Sequence, residues 1–207
     1  MRRLVEALLV HESYFFRELP PLLELVDHFL PAVVAQRGRA RIWSAACATG
    51  EEPYTIAMLL DERNLLDKVE IVGTDLSAAA LARATSGRHS RRSLRDGYPV
   101  TTAAKYLDAT AQAVTVAPRI RSAVQFHRVN LLDADAIRRL GLFDVILCRN
   151  VLIYFRDVRV AEVVGRLASS LAPGGMLAVG VSESLLRFGT SLTCEERGGS
   201  FFYRRAS

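Results

Sequence analysis

A chain of 207 residues, half of them apolar and 24% charged, has the size and balance of one well-buried domain and is too evenly interleaved with polar residues to belong in a bilayer. Its longest apolar runs fall well short of the ~20 residues that a membrane span needs. The net charge of +5 admits an acidic macromolecular partner without choosing between nucleic acid and an acidic protein surface.

The first residues, MRRLVEALLVHESYFF, carry two arginines and an apolar run like a signal peptide. Glu6 interrupts the run and no small-residue cleavage site follows, so the stretch reads as a helix. Helical periodicity continues to about Arg39 through Leu19, Leu22, Leu25, Val26 and Phe29, with breaks at Pro20, Pro21 and Pro31. Strands and helices then alternate. ARIWSAAC is a buried strand, and EEPYTIAMLLDERNLL is a helix with Pro53 in its first turn. VEIVGTDL follows as a strand, with Ser77 capping the helix SAAALARAT. VQFHRVNLL and FDVILCRNV are the third and fourth strands. DVRVAEVVGRLASSL is a helix stopped by Pro173-Gly174-Gly175, and MLAVGVSE is the fifth strand. LTCEERGGSFFYRR reads as an antiparallel hairpin around Gly198-Gly199.

This alternation predicts an α/β, doubly wound, Rossmann-like domain over residues 40–207, its mostly parallel sheet ending in the antiparallel hairpin, behind a helical segment over residues 1–39. A small β-subdomain is expected near 98–124. Cys47, Cys148 and Cys194 lack Cys-x-x-Cys spacing and read as reduced cytoplasmic thiols, not metal ligands. Ligands of doubly wound sheets sit beyond the carboxyl ends of the strands, which gathers Ala46 to Glu51, Asp75, Asn130 and Cys148-Arg149-Asn150 around one crevice.

WSAACATGEEPYTIAM (43–58) narrows the ligand. A pyrophosphate loop needs several glycines and a helix N-terminus free to receive an anion. Here one glycine is followed by Glu51 and Glu52, which either cap the helix or meet a cationic ligand; phosphate would be repelled. S-adenosylmethionine, with a sulfonium, an ammonium and a ribose diol, suits such acids. Asp75 serves a ribose in this cofactor's folds and in NAD folds alike, or simply caps the next helix.

HESYFFRE (11–18), WSAACATGEEPYTIAM (43–58), GTDLSAAALARA (73–84), VNLLD (129–133), FDVILCRNVLIYF (143–155) and GGMLAVGVSESL (174–185) resemble, in order, the sequence blocks of the chemotaxis receptor methyltransferases. That family esterifies glutamate side chains of chemoreceptors with S-adenosylmethionine, leaving S-adenosylhomocysteine. By this resemblance His11, Ser13 and Arg17 match an Asn-x-Thr-x-x-x-Arg pattern at the edge of cofactor and substrate, with histidine and serine as departures. Ser13 and Arg17, one helical turn apart, are expected to face one pocket, where Arg17 would grip a carboxylate of the acceptor or of the cofactor. Glu51 and Asp75 match the cofactor-contacting acids. Asn130 and Leu131 match the adenine-lining segment, and Arg149 and Asn150 end the strand that faces the methyl. Tyr154 matches the family's proposed catalytic tyrosine, or packs against Phe155. The run Asn-Val-Leu-Ile-Tyr lacks the paired prolines of amide and base methylases. No Ser-His-Asp set and no metal is expected.

The resemblance implies a cytoplasmic enzyme acting on the cytoplasmic region of chemoreceptors, with no nucleic-acid partner and no membrane insertion. Arg88, Arg91, Arg92 and Arg95 form either a solvated face or a docking face for acidic receptor helices. Residues 1–39 are expected to be a remnant or truncated counterpart of the family's helical N-terminal domain, or that domain is supplied by another chain. Two other readings stay open: a non-catalytic receptor-binding module of the same fold, and a methyltransferase acting on another substrate such as RNA. A NAD enzyme ranks last.

Overall fold

The computed structural model describes residues 12–206. β1 (Ala40–Ala45), β2 (Val69–Asp75), β6 (Val124–Arg128), β7 (Phe143–Cys148), β8 (Leu171–Val179), β9 (Thr193–Arg197) and β10 (Ser200–Arg204) form one sheet in the order β6-β2-β1-β7-β8-β10-β9. The first five of these run parallel; β10 enters antiparallel between β8 and β9. The expected C-terminal hairpin therefore contributes a reversed strand inside the sheet. The chain leaves β1 towards β2 and β6, then returns to β7 and β8 on its other side, so the order reverses between β1 and β7.

Strand alternation splits the core into two layers. Ile42, Ile71, Val145, Met176 and Phe202 face one side, packed with Leu22, Leu25, Ile56 and Leu60 from the helices there. Their neighbours Trp43, Val72, Ile146, Leu177 and Tyr203 face the other, against Ile137, Val160, Val163 and Leu167. β7 is buried along its whole length, as expected of a strand covered on both faces. The Trp43 indole donates to Thr74 Oγ1 at 2.8 Å, satisfying its one polar atom in the core.

Among the described residues before the sheet lie two helices and a wide turn: α1 (Leu19–Glu24), a π turn (Leu25–Phe29) and α2 (Leu30–Arg37); most of the helix expected from residue 1 lies outside the described residues. The prolines sit in the first turns of α1 and α2, where a missing N–H costs least. Pro31 would still crowd the carbonyl four residues back. The π turn relieves this, with Leu30 N–H reaching Leu25 O. Pro20 and Pro21 thus open the helical run, and Pro31 sits within it without ending it.

α3 (Glu51–Glu62) follows β1, and α4 (Ala78–Ser86) follows β2, capped by Ser77, whose side chain accepts from Ala80 N–H. A separate antiparallel sheet, β3-β5-β4, comprises β3 (Arg88–Ser90), β4 (Leu107–Ala109) and β5 (Ala113–Val116). It begins inside the arginine-rich stretch and encloses α5 (Val100–Tyr106); α6 (Pro118–Ser122) leads out to β6. α7 (Ala134–Leu140) precedes β7, and α8 (Asp157–Ser169) precedes β8.

Two expectations are corrected near the end. α8 stops at Ser169 and β8 already runs at Leu171; Pro173-Gly174-Gly175 instead creates the pairing irregularity in which Phe143 faces Leu171 but Val145 faces Met176. β8 ends at Val179, so Gly180 to Glu183 form a turn beyond the strand. Among the described residues no helix is long and apolar enough to cross a membrane.

Candidate active site

A cavity of about 400 Å³ opens at the carboxyl ends of β1, β2, β6 and β7, beside the strand-order reversal. Ala46, Cys47 and Ala48 line it after β1, Asp75 and Leu76 after β2, Asn130 and Leu131 after β6, and Arg149 and Asn150 after β7. Ser13, Tyr14 and Arg17 close one wall, and Tyr154 stands at the rim with its side chain largely exposed.

The floor is built by tight backbone geometry. Ala46 and Ala48 adopt φ +58° and +49°, with only methyl side chains in the way of an approaching ligand. Gly50 caps α3 at φ +91°, and a Cβ there would lie 2.9 Å from Ala84 Cβ and 3.1 Å from the Phe126 ring. Gly50 thus combines left-handed backbone with close contact from two neighbours, which is why a glycine stands there. Asp75 fixes the loop: Oδ2 accepts from Ala48 N–H at 2.9 Å, and Oδ1 from Ser77 N–H at 2.8 Å. Asn130 Oδ1 accepts from Leu132 N–H, holding the turn after β6.

The two acids that begin α3 take opposite directions. Glu52 lines the cavity; it accepts from Ser44 Oγ at 2.6 Å and from Arg149 Nη1 at 2.9 Å. Glu51, expected as a cofactor contact, is absent from the cavity wall and is buried against Thr49, Ser93 and His89, whose Nδ1 is 3.1 Å from its Oε1. Burial opposes its ionisation, but the hydrogen bond and charge of His89 and the Thr49 hydroxyl hold the carboxyl below its usual range. Consecutive helical residues diverge by about 100°, so only one of such a pair can face a pocket. Of the two acids it is Glu52 that faces the cavity, and sequence spacing alone does not say which.

Ser13 and Arg17 do share the cavity, but the expected helical turn is wrong. Residues 15–18 form a tight turn with φ +62° at Phe16 and +46° at Glu18. Phe15 N–H donates to Ser93 O, and Phe16 N–H to Thr55 Oγ1. Arg17 donates to Glu12 O at 2.8 Å, and its guanidinium lies 5.4 Å from the Tyr14 ring. Arg95 covers the same ring at 4.0 Å and binds Glu12, so this member of the arginine-rich stretch is engaged within the fold. His11 lies outside the described residues.

Arg149 joins the wall to the floor. Its buried side chain donates through Nη2 to Arg17 O, Glu18 O and Glu18 Oε2. Glu18 also accepts from Asn150 Nδ2 at 3.1 Å. Its burial raises the carboxyl pKa, but the Arg149 charge and these bonds outweigh that and lower it. Glu18 was not foreseen; only its place in the HESYFFRE block marked it.

Residues 11–197 match the family model described as "CheR methyltransferase, SAM binding domain". The chain belongs to this CheR family. Chemotaxis protein methyltransferase 1 of Pseudomonas aeruginosa is 39% identical over 190 residues, 87% of this chain and 69% of that protein. A chemotaxis protein methyltransferase of Vibrio parahaemolyticus is 39% identical over 187 residues, covering 87% and 67%. The Bradyrhizobium japonicum N-methyltransferase NodS, solved with S-adenosyl-L-homocysteine, superposes with a TM-score of 0.54 at 15% identity over 100% of this chain and 98% of that one. That likeness, like the 0.54 for the rRNA methyltransferase aviRa from Streptomyces viridochromogenes (16% identity; 95% and 87% covered), establishes the fold.

As a CheR-family methyltransferase the chain uses S-adenosylmethionine, and the cavity suits it. Asp75 gives two acceptor positions to backbone N–H groups, and a carboxylate has about four, so capacity remains for ribose hydroxyls. Arg149 Nε is buried and without a partner among the described residues, a donor left for an anionic group.

Proposed function

We propose that this methyltransferase esterifies glutamate side chains in the cytoplasmic region of chemoreceptors. The observation that carries this reading is one cavity lined by Asp75, Asn130, Arg17 and Tyr154 together. The family membership, and relatives named as chemotaxis protein methyltransferases, support the same substrate class.

Bound S-adenosylmethionine supplies an electrophilic methyl on a sulfonium. Asp75 holds the ribose hydroxyls, Asn130 and Leu131 line the adenine, and Ser13, Arg17, Arg149 and Asn150 border the amino-acid end. Glu52, in place of Glu51, contributes the acid nearest Arg149. A glutamate acceptor, with an ordinary pKa near 4.3, is already an anion at neutral pH and needs no base. The residues' work is therefore alignment and exclusion of water. Arg17 and Tyr154 hold the carboxylate in line, and orientation of this kind contributes roughly 7–11 kcal/mol.

Incubation with tritiated-methyl S-adenosylmethionine and chemoreceptor cytoplasmic fragments tests the reading. Base-labile label on glutamate is expected. Base-stable label on RNA, or no transfer despite cofactor binding, overturns it.

A further inference from the structure

Glu183 does not line the cavity, yet it binds the backbone of the segment that does. Its Oε2 accepts from Asn150 N–H and Gly180 N–H, both at 2.7 Å, while Oε1 accepts from Leu152 N–H at 2.7 Å and Ile153 N–H at 3.3 Å. Four backbone donors thus converge on one carboxylate. Two lie on the turn after β8 or at the end of β7, and two on the 3-10 turn (Leu152–Tyr154) that presents Tyr154.

Two further observations show how closely the site is fitted. Asn150 holds φ +56°, a left-handed conformation that a non-glycine residue keeps only when its surroundings impose it. A Cβ at Gly180 would lie 2.7 Å from Asn150 Nδ2, 2.8 Å from Glu183 Oε2 and 2.9 Å from Asn150 N. Only glycine lets the two turns approach closely enough for the carboxylate to bridge them.

We infer that Glu183 is a positioning residue for methyl transfer: it locks the Asn150–Tyr154 loop in the shape that sets Tyr154 against the acceptor. The inference rests on the reading that this loop faces the transferring methyl. A carboxylate fits the task because it only accepts, whereas an amide of equal size turns an NH2 group towards part of the donor cluster. Glu18 holds the same loop from the opposite wall by its bond to Asn150 Nδ2.

The test is Glu183→Gln in the full chain, with Gly180→Ala as a second route to the same displacement. For Glu183→Gln the expected result is a kcat about 10- to 100-fold lower, the effect of misplacing a reacting group by about 1 Å. S-adenosylhomocysteine affinity should fall by much less than kcat, since Glu183 reaches the cofactor only through Asn150 but holds the whole 3-10 turn that presents Tyr154. The amides of Asn150, Leu152 and Gly180 should exchange with deuterium faster than in the parent, a readout that needs no acceptor. Unchanged exchange at these amides overturns the proposal, as does a parallel fall in kcat, cofactor affinity and melting temperature. Accelerated exchange in a protein whose parent transfers no methyl to glutamate would overturn the substrate reading and leave the clamp standing.

Discussion

Replacing Asp75 with Ala gives the sharpest test of the cofactor floor. The substitution strands Ala48 N–H and Ser77 N–H, both held by this carboxylate and neither with another acceptor inside its turn. Leaving a buried donor unpaired costs about 1–3 kcal/mol, so the two together cost ~2–6 kcal/mol of fold stability unless water reaches them. Binding loses more directly. Two hydroxyl bonds to a charged acceptor are worth about 1.5–3 kcal/mol each, which places the loss of affinity at ~3–6 kcal/mol, or roughly 10²- to 10⁴-fold in Kd. Titration calorimetry with S-adenosylhomocysteine reads this, beside a thermal melt that establishes the variant is folded. Asp75→Asn, which keeps one acceptor and most of the volume, should fall between parent and Ala. A folded Asp75→Ala protein binding within tenfold of the parent would refute the assignment.

Tyr154→Phe should lower kcat by about 10- to 100-fold while S-adenosylhomocysteine affinity is unchanged, because Tyr154 is assigned to the acceptor; a matching loss of cofactor affinity counts against that role. Gly50→Ala places a methyl against Ala84 and Phe126 in left-handed backbone and should lower the melting temperature by several degrees, a cost of about 1–3 kcal/mol. Glu51 has its folded pKa depressed, so it adds stability above the unfolded carboxylate value near 4.3, and that stability is lost as pH falls through the lower folded value. Melting temperature should thus drop in acid below about pH 4, and less steeply in Glu51→Gln; parallel curves would remove the His89–Glu51 contact from the account. Burial raises the thiol pKa of Cys47 and Cys148, so in the native protein a thiol reagent at pH 8 should modify half-buried Cys194 ahead of both, and all three after denaturation.

The strands β1, β2, β7 and β8 were legible because each is a largely buried apolar run, and a buried strand announces itself locally. The reversed hairpin was legible for a related reason, since Gly198-Gly199 separates two β-rich runs. What sequence spacing missed was decided over long separations. The turn at residues 15–18 replaces a helix because Ser93, Thr55 and Arg149 supply its hydrogen bonds, and none is near in the chain. Glu51 and Glu52 carry the same chemistry; His89, 38 residues on, draws the first inward, and Arg149, 97 residues on, draws the second to the cavity. His89 was hidden among arginines and Glu183 in a stretch that looked like strand. Each matters only through partners that the fold brings to it.

The Arg149 bridge to the turn at residues 15–18 has a consequence for assembly. It joins residues 132 apart in the chain, so this side of the chamber is closed by a contact that only the folded sheet brings within reach. A molecule touching both Asp75 and that turn acts as a rivet across the seam. Its binding free energy adds to the closure by mass action, so the loaded protein should hold the turn at residues 15–18 more firmly than the empty one.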